Sequence, residues 1–103
     1  MTHYLTEFPD YDSTLPILDG FADDSWHNDT CPSLLNKELG LKLWCEYANP
    51  ELRVGTKRFI LYYQDIDDSL NDEFILETDS IVEIKQVIRE ITVSRPTYWK
   101  VSN

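Results

Sequence analysis

A small antiparallel β-sheet with one C-terminal amphipathic helix packed on it, an α+β fold, is what this sequence predicts, on three observations. Residues 41–47 alternate apolar and polar, residues 58–64 are apolar on both faces, and a capped helical stripe begins at Ser80. Segments of strand length followed by one of helix length make a mixed fold with the helix across the sheet. A chain of 103 residues has the length of one domain, and 42% hydrophobic residues suffice to bury a core. We therefore expect a single domain over 1–103. An irregular acidic and aromatic segment occupies 1–33, and a β-β-β-α body of three to four strands and the helix occupies 34–103.

In chain order, residues 1–33 show no clean period and are punctuated by Pro9, Pro16, Gly20 and Pro32. Tyr4, Leu5, Phe8, Tyr11, Leu15, Ile17, Leu18, Phe21 and Trp26 are too many apolar anchors for a free tail. The segment is expected to be pinned by its aromatics, with a short helical turn around 15–26. Ser33 to Leu39 reads as a short helix or turn closed by Gly40, where a helix C-terminus favours glycine. From Leu41 to Tyr47, Leu41, Leu43, Cys45 and Tyr47 fall on one face and Lys42, Trp44 and Glu46 on the other, the pattern of a half-buried strand.

Asn49-Pro50-Glu51 turns the chain, and Arg58 to Gln64 suits a central strand. Asp65 to Asp72 is an acidic loop, and Glu73 to Thr78 returns as the third strand. Ser80-Ile-Val-Glu83 is a capping box, followed by Ile81, Ile84, Val87, Ile88 and Ile91 at helical spacing. Arg95-Pro96 is expected to stop this helix, leaving Thr97 to Val101 as a short edge strand.

The formal net charge is −10, from nineteen acids and nine bases. That balance argues against direct binding to nucleic acid or an anionic membrane. Its distribution is more informative. Residues 1–30 hold Glu7, Asp10, Asp12, Asp19, Asp23, Asp24 and Asp29 and no base. Residues 65–79 hold Asp65, Asp67, Asp68, Asp72, Glu73, Glu77 and Asp79, again without a base. The remainder carries five acids and nine bases. If the two bare segments meet in the fold, they form one strongly negative face.

No apolar run is long enough to span a bilayer, and the N-terminus lacks the basic and apolar regions of a secretory signal. The expected compartment is cytoplasmic. Cys31 and Cys45 are too few for a disulfide scaffold; reduced, partly buried thiols are expected, with a disulfide as the alternative.

Catalytic and metal signatures are weak. His27-x3-Cys31 with Cys45 and His3 contains one close pair, whereas structural zinc sites use paired ligands. The acidic stretch from Asp65 lacks the glycine and terminal glutamate of a calcium loop. No glycine-framed nucleophile elbow or phosphate-cradling loop is present. Neither enzymatic activity nor a cofactor is therefore expected. The alternatives are a small hydrolase or metal-dependent enzyme using His27 and nearby acids, or an acidic domain whose charge only solubilises it.

Leu43-Trp-Cys-Glu-Tyr-Ala-Asn-Pro-Glu-Leu-Arg53, Lys57-Arg-Phe-Ile-Leu-Tyr-Tyr63 and Glu77-Thr-Asp79 leading into the helix resemble small bacterial immunity proteins of contact-dependent and other polymorphic toxin systems. This resemblance spans residues 43–91. The acidic, aromatic-laced N-terminal third is similar to bacterial DNA-mimic proteins. Both resemblances imply a protein that covers a basic surface on a DNA-binding protein or a nuclease toxin.

Acids blocked together repel one another, and aromatics threaded among them supply anchors for an interface. The expected partner-binding residues are Asp10, Asp12, Asp19, Asp23, Asp24 and Asp29 as phosphate surrogates with Trp26 as anchor. Asp65, Asp67, Asp68, Asp72 and Glu73 would extend that face.

Overall fold

The computed structural model describes residues 4–64 and 73–101, with residues 94–101 described by their backbone alone. A one-turn helix α1 (Tyr4–Glu7) precedes five strands: β1 (Ala22–Asp23), β2 (Ser33–Asn36), β3 (Leu41–Cys45), β4 (Phe59–Tyr63) and β5 (Glu73–Thr78). Helix α2 (Ile81–Val101) follows. The strands form one antiparallel meander in chain order, so the α+β fold is as expected with more strands than the three to four predicted.

Strand register decides which side chains share a face, because directly paired residues point the same way. Leu41, Leu43 and Cys45 pair with Tyr63, Leu61 and Phe59, and Leu34 pairs with Leu43. This face is the core: Leu34, Leu41, Leu43, Cys45, Phe59 and Leu61 are all buried. Two elements cover it. Helix α2 contributes Ile84 and Ile91, with Ile81, Val87 and Ile88 beside them. The N-terminal segment contributes Phe8, Tyr11 and Leu15, which confirms that its aromatics pin it to the body.

Hydrogen bonds from the arm reinforce that packing. Asp23 accepts from the Tyr4 backbone N–H at 2.6 Å, and both oxygens of Asp12 accept from Ala48 and Asn49 at 2.8 Å. The Tyr11 hydroxyl donates to the Glu46 carbonyl.

Three local expectations are corrected. Residues 33–36 form β2, not a helix or turn. A seven-residue helix is marginal alone, whereas as a strand these residues make four register pairs with β3. Gly40 therefore sits in a hairpin, at φ +68°, with Leu39 N–H bonded to Asn36 Oδ1 in the same turn. The span 15–26 holds no helical turn and ends in β1, which pairs with β2 through Ala22 and Asp23. Gly20 just before it has φ +82°, and a Cβ there would meet Asn36 Nδ2 at 2.8 Å.

The third correction is at the C-terminus, where α2 continues through Arg95-Pro96 to Val101 in place of a helix stop and edge strand. Proline's locked φ of about −65° is itself helical, so the helix passes through it, at the cost of one backbone donor and of crowding between the ring and the carbonyl four residues back. At its start α2 is capped as expected, the Ser80 hydroxyl accepting from Glu83 N–H at 3.2 Å. The acidic loop 65–72 and His3 lie outside the described residues. Among the described residues, no helix is long and apolar enough to cross a membrane.

The β3–β4 connection is a 13-residue loop (46–58) built around two charged side chains. Arg53 donates to the carbonyls of Tyr47, Ala48 and Thr56 and reaches Asp79 at 3.2 Å. Asp79 also accepts from Arg58 N–H at 2.9 Å. The N–H of Arg58, with Lys57 and Arg53 adding to it, holds the Asp79 carboxyl below its ordinary value of 3.8. For Asp12, slight desolvation is outweighed by the Asn49 and Ala48 N–H groups, and its carboxyl also lies below 3.8.

Two outcomes follow. Leu43→Ala, at the middle of three paired strands, is expected to cost about 2–5 kcal/mol, against about 0.5 kcal/mol or less for exposed Lys37→Ala. Urea denaturation followed by circular dichroism checks both. The depressed carboxyls of Asp12 and Asp79 stabilise the fold above pH 3.8, and that contribution fades as pH falls through their lower folded values. Asp12→Asn and Asp79→Asn should thus melt below the parent at neutral pH. The gap should close as pH drops beneath 3.8 in a series of thermal melts.

Candidate functional site

The register that buries Leu41, Leu43 and Cys45 turns Lys42 and Trp44 outward. On β4 it turns out Ile60 and Tyr62, which pair with Trp44 and Lys42. A bulge in β5 extends the row. Leu61 pairs with Leu76 but Tyr62 pairs with Phe74, leaving Ile75 as the extra residue. Phe74 thereby stands edge-on to Tyr62, ring centroids 5.7 Å apart, and is 53% exposed. The residues of the core cluster lie on the other side, so this face carries half-buried Trp44, Ile60 and Tyr62 and exposed Phe74, with residues 28–31 and Val54–Gly55 flanking its one end.

At one end of that face lies a cleft of about 460 Å³, bounded by residues 28–31, by Val54 and Gly55, and by Trp44, Ile60 and Tyr62 of the sheet. That volume falls within the ~300–1,000 Å³ of small-ligand sites. Its polar wall is Glu46, only 2% exposed. Glu46 Oε2 accepts from Gly55 N–H at 2.7 Å and Val54 N–H at 3.1 Å. Oε1 has no hydrogen-bond partner among the described residues.

The cationic strand neighbour turns elsewhere. Arg58, whose carbonyl accepts from Glu46 N–H, sends its guanidinium to Ser13 Oγ at 2.5 Å and over the Phe59 ring. A buried carboxylate oxygen lacking a donor costs on the order of 1–3 kcal/mol or more. Asp29, also lining the cleft, adds a second carboxylate.

Cys31 lines the same cleft and is free and buried, as is Cys45. Burial first, then the charge of Glu46, pushes the Cys31 thiol from 9.0 up to about 12, so it is neutral at physiological pH. Burial likewise raises Cys45. Among the described residues, no three His, Cys, Asp or Glu side chains are grouped so as to hold a metal ion.

The residues singled out by charge divide into groups. Asp10 and Asp19 are exposed, as is Glu73 at the start of β5. Asp12 and Asp23 are engaged by backbone N–H groups, Asp23 taking Ser25 as well as Tyr4. Asp24 pairs with Lys42 at 3.0 Å, and Lys42 Nζ in turn lies 4.6 Å from the Trp44 ring centroid. This chain of contacts ties the acidic arm to the open face. Asp65, Asp67, Asp68 and Asp72 lie outside the described residues.

Trp26 is 50% exposed and leans on His27, ring centroids 4.2 Å apart. His27 Nδ1 lies 3.0 Å from Glu7 Oε1. The nearest serine in sequence, Ser25, is buried, and its hydroxyl accepts from Ser33 N–H.

Charge reasoning overlooked Trp44, Glu46, Ile60, Tyr62 and Phe74. The signal for them was present at residues 58–64, whose two apolar faces exceed what one helix can cover.

No protein-family model, curated protein or solved structure matches this chain.

Proposed function

We propose that this is a non-catalytic, acidic binding protein of the cytoplasm that covers a basic, nucleic-acid-handling surface of another protein. The observation that carries the reading is the blocking of the acids. Residues 1–30 hold seven carboxylates and no base, a concentration whose self-repulsion an ordinary soluble surface avoids by mixing signs. Such a field speeds encounter with a Lys- and Arg-rich surface built for phosphates.

Of the two forms this act can take, the open sheet face favours an inhibitor shaped to one partner, as an immunity protein is to a nuclease toxin. Mimicry of duplex DNA needs carboxylates in a row at phosphate spacings. Here Asp12 and Asp23 are engaged by backbone donors and Asp24 by Lys42. A row of half-buried Trp44 and Tyr62 with exposed Phe74 supplies instead the kind of aromatic anchors that dominate interface energies. Asp10, Asp19, Asp29 and Glu73 then act as steering charges around it.

The test is affinity capture from the native host's lysate at low salt, with elution by a salt gradient. The parent is expected to retain a basic nuclease or other nucleic-acid-handling protein. The combined variant Asp10→Lys, Asp19→Lys, Glu73→Lys should retain at least tenfold less while melting at the parent's temperature. Equal capture by both, or capture of no basic protein, overturns the proposal.

A further inference from the structure

We infer that the cleft at the end of the open sheet face is a receptor for an arginine side chain of the partner protein, with Glu46 as its counter-charge and Trp44 and Tyr62 as its walls. This inference rests on the reading of a basic partner given above and specifies where that partner is gripped.

The geometry has three parts. First, Glu46 is almost wholly buried yet has one carboxylate oxygen without a donor among the described residues, while its other oxygen is held by Val54 and Gly55. The carboxylate is thus fixed in place with acceptor capacity left over. Second, Arg58, whose carbonyl accepts from Glu46 N–H, sends its guanidinium to Ser13, and Lys42 pairs with Asp24 over the Trp44 ring, so neither forms an ion pair with Glu46. The negative charge of Glu46, with Asp29 also in the cleft lining, is left for an incoming group. Third, Trp44, Ile60, Tyr62 and Val54 make the apolar and aromatic part of the lining, with the uncharged Asn28 and Thr30 beside them.

A carboxylate set among aromatic rings is complementary to a flat cation. A guanidinium stacks on rings through its face and donates N–H bonds through its edge, and it sheds water more readily than an ammonium. Its five donors allow it to meet Glu46 and Asp29 together, which the compact lysine head does less well. A phosphate or carboxylate ligand is disfavoured by the same two acids. The neutral thiol of Cys31 lies beside Glu46 as a weak donor, leaving the carboxylate without a cation or an O–H partner among the described residues.

The experiment is a nuclear magnetic resonance titration of the full chain with the blocked tripeptide Gly-Arg-Gly, and with the same peptide carrying citrulline, the neutral isostere. The arginine peptide should produce saturable shifts confined to Trp44, Val54, Gly55, Ile60 and Tyr62, and the citrulline peptide none. Glu46→Gln keeps an acceptor for the Val54 and Gly55 N–H groups while removing the charge, and should weaken binding at least tenfold. Val54→Arg provides a second variant at a site 74% exposed, where folding is not at stake. Its own guanidinium should occupy the cleft and abolish the shifts.

Shifts that are absent, spread over the surface, or equal for the two peptides overturn the inference. The basic-partner reading fails separately. Saturable arginine binding with no basic protein captured from lysate removes that reading and keeps the cleft. A basic partner captured equally by the parent, Glu46→Gln and Val54→Arg removes the cleft and keeps the reading.

Discussion

One helix and one irregular arm have apolar surface enough for a single face of a five-stranded sheet, and the rest of the structure depends on that constraint. Ile84 and Ile91 of α2 and Phe8, Tyr11 and Leu15 of the arm all meet the face carrying Leu41, Leu43 and Leu61. Burial of these side chains is the main stabilising term, at roughly 1.5–3 kcal/mol for each large one fully removed from water. With both covering elements on that side, the opposite face is only partly covered, by residues 28–31 and the β3–β4 loop at one end, although β3, β4 and β5 carry aromatics there. A bulge in β5 sharpens the effect by placing Phe74 next to Tyr62 on the uncovered side. The site is a consequence of the fold's economy of covering elements.

The acidic arm serves two purposes that composition alone merges. Asp12 and Asp23 act at close range, as acceptors for backbone N–H groups that lack strand partners, and so fasten the arm to the sheet. Asp10 and Asp19 are exposed and act at a distance, through a field that decays over about 8–10 Å at moderate salt. A carboxylate that accepts two backbone bonds is stabilised in its charged form, so the fastening acids still contribute to that field. Lys42 is the exception, since it cancels Asp24 locally while leaning on Trp44.

The loop between β3 and β4 joins stability to the site. Arg53 gathers three carbonyls and Asp79, which closes the loop against the start of α2. That closure brings Val54 and Gly55 within reach of Glu46 and makes the far wall of the cleft. A buried acid is ordinarily tolerated only when fully paired. Among the described residues Glu46 is hydrogen-bonded by N–H groups on one oxygen alone, and that incompleteness coincides with the cleft at the end of the open face.

How much of this was legible in the sequence differs from element to element. Period decided β3 and α2, because alternation at Leu41, Leu43 and Cys45 and three-to-four spacing from Ile81 to Ile91 follow from backbone geometry wherever the segment sits, while β4 was read from a run apolar on both faces and β5 as the strand returning from the acidic loop. The cap at Ser80 was legible for the same reason, being a contact between residues three apart. Leu34 and Leu35 gave no period, so β2 emerged only from its pairing with β3, and β1 only from its pairing with β2. The helix past Pro96 was misread because proline's steric rule is a bias and its fixed φ is helical.

At the site the division is similar. The two blocks of acids were countable from the chain, since charge is a property of residues. Which of those acids would face outward was not, because Asp12 and Asp23 found their donors 36 and 19 positions away. Glu46 was read as one more solvent-facing residue of an alternating strand; its burial arises from a loop folding back through Arg53. The sequence by itself determined the sheet-forming and helix-forming segments and the sign of the surface, which depend on neighbours in the chain. Only the tertiary structure decided which face stayed open, which acids remained free and where a carboxylate lacked its partner, since each depends on contacts between residues distant in sequence.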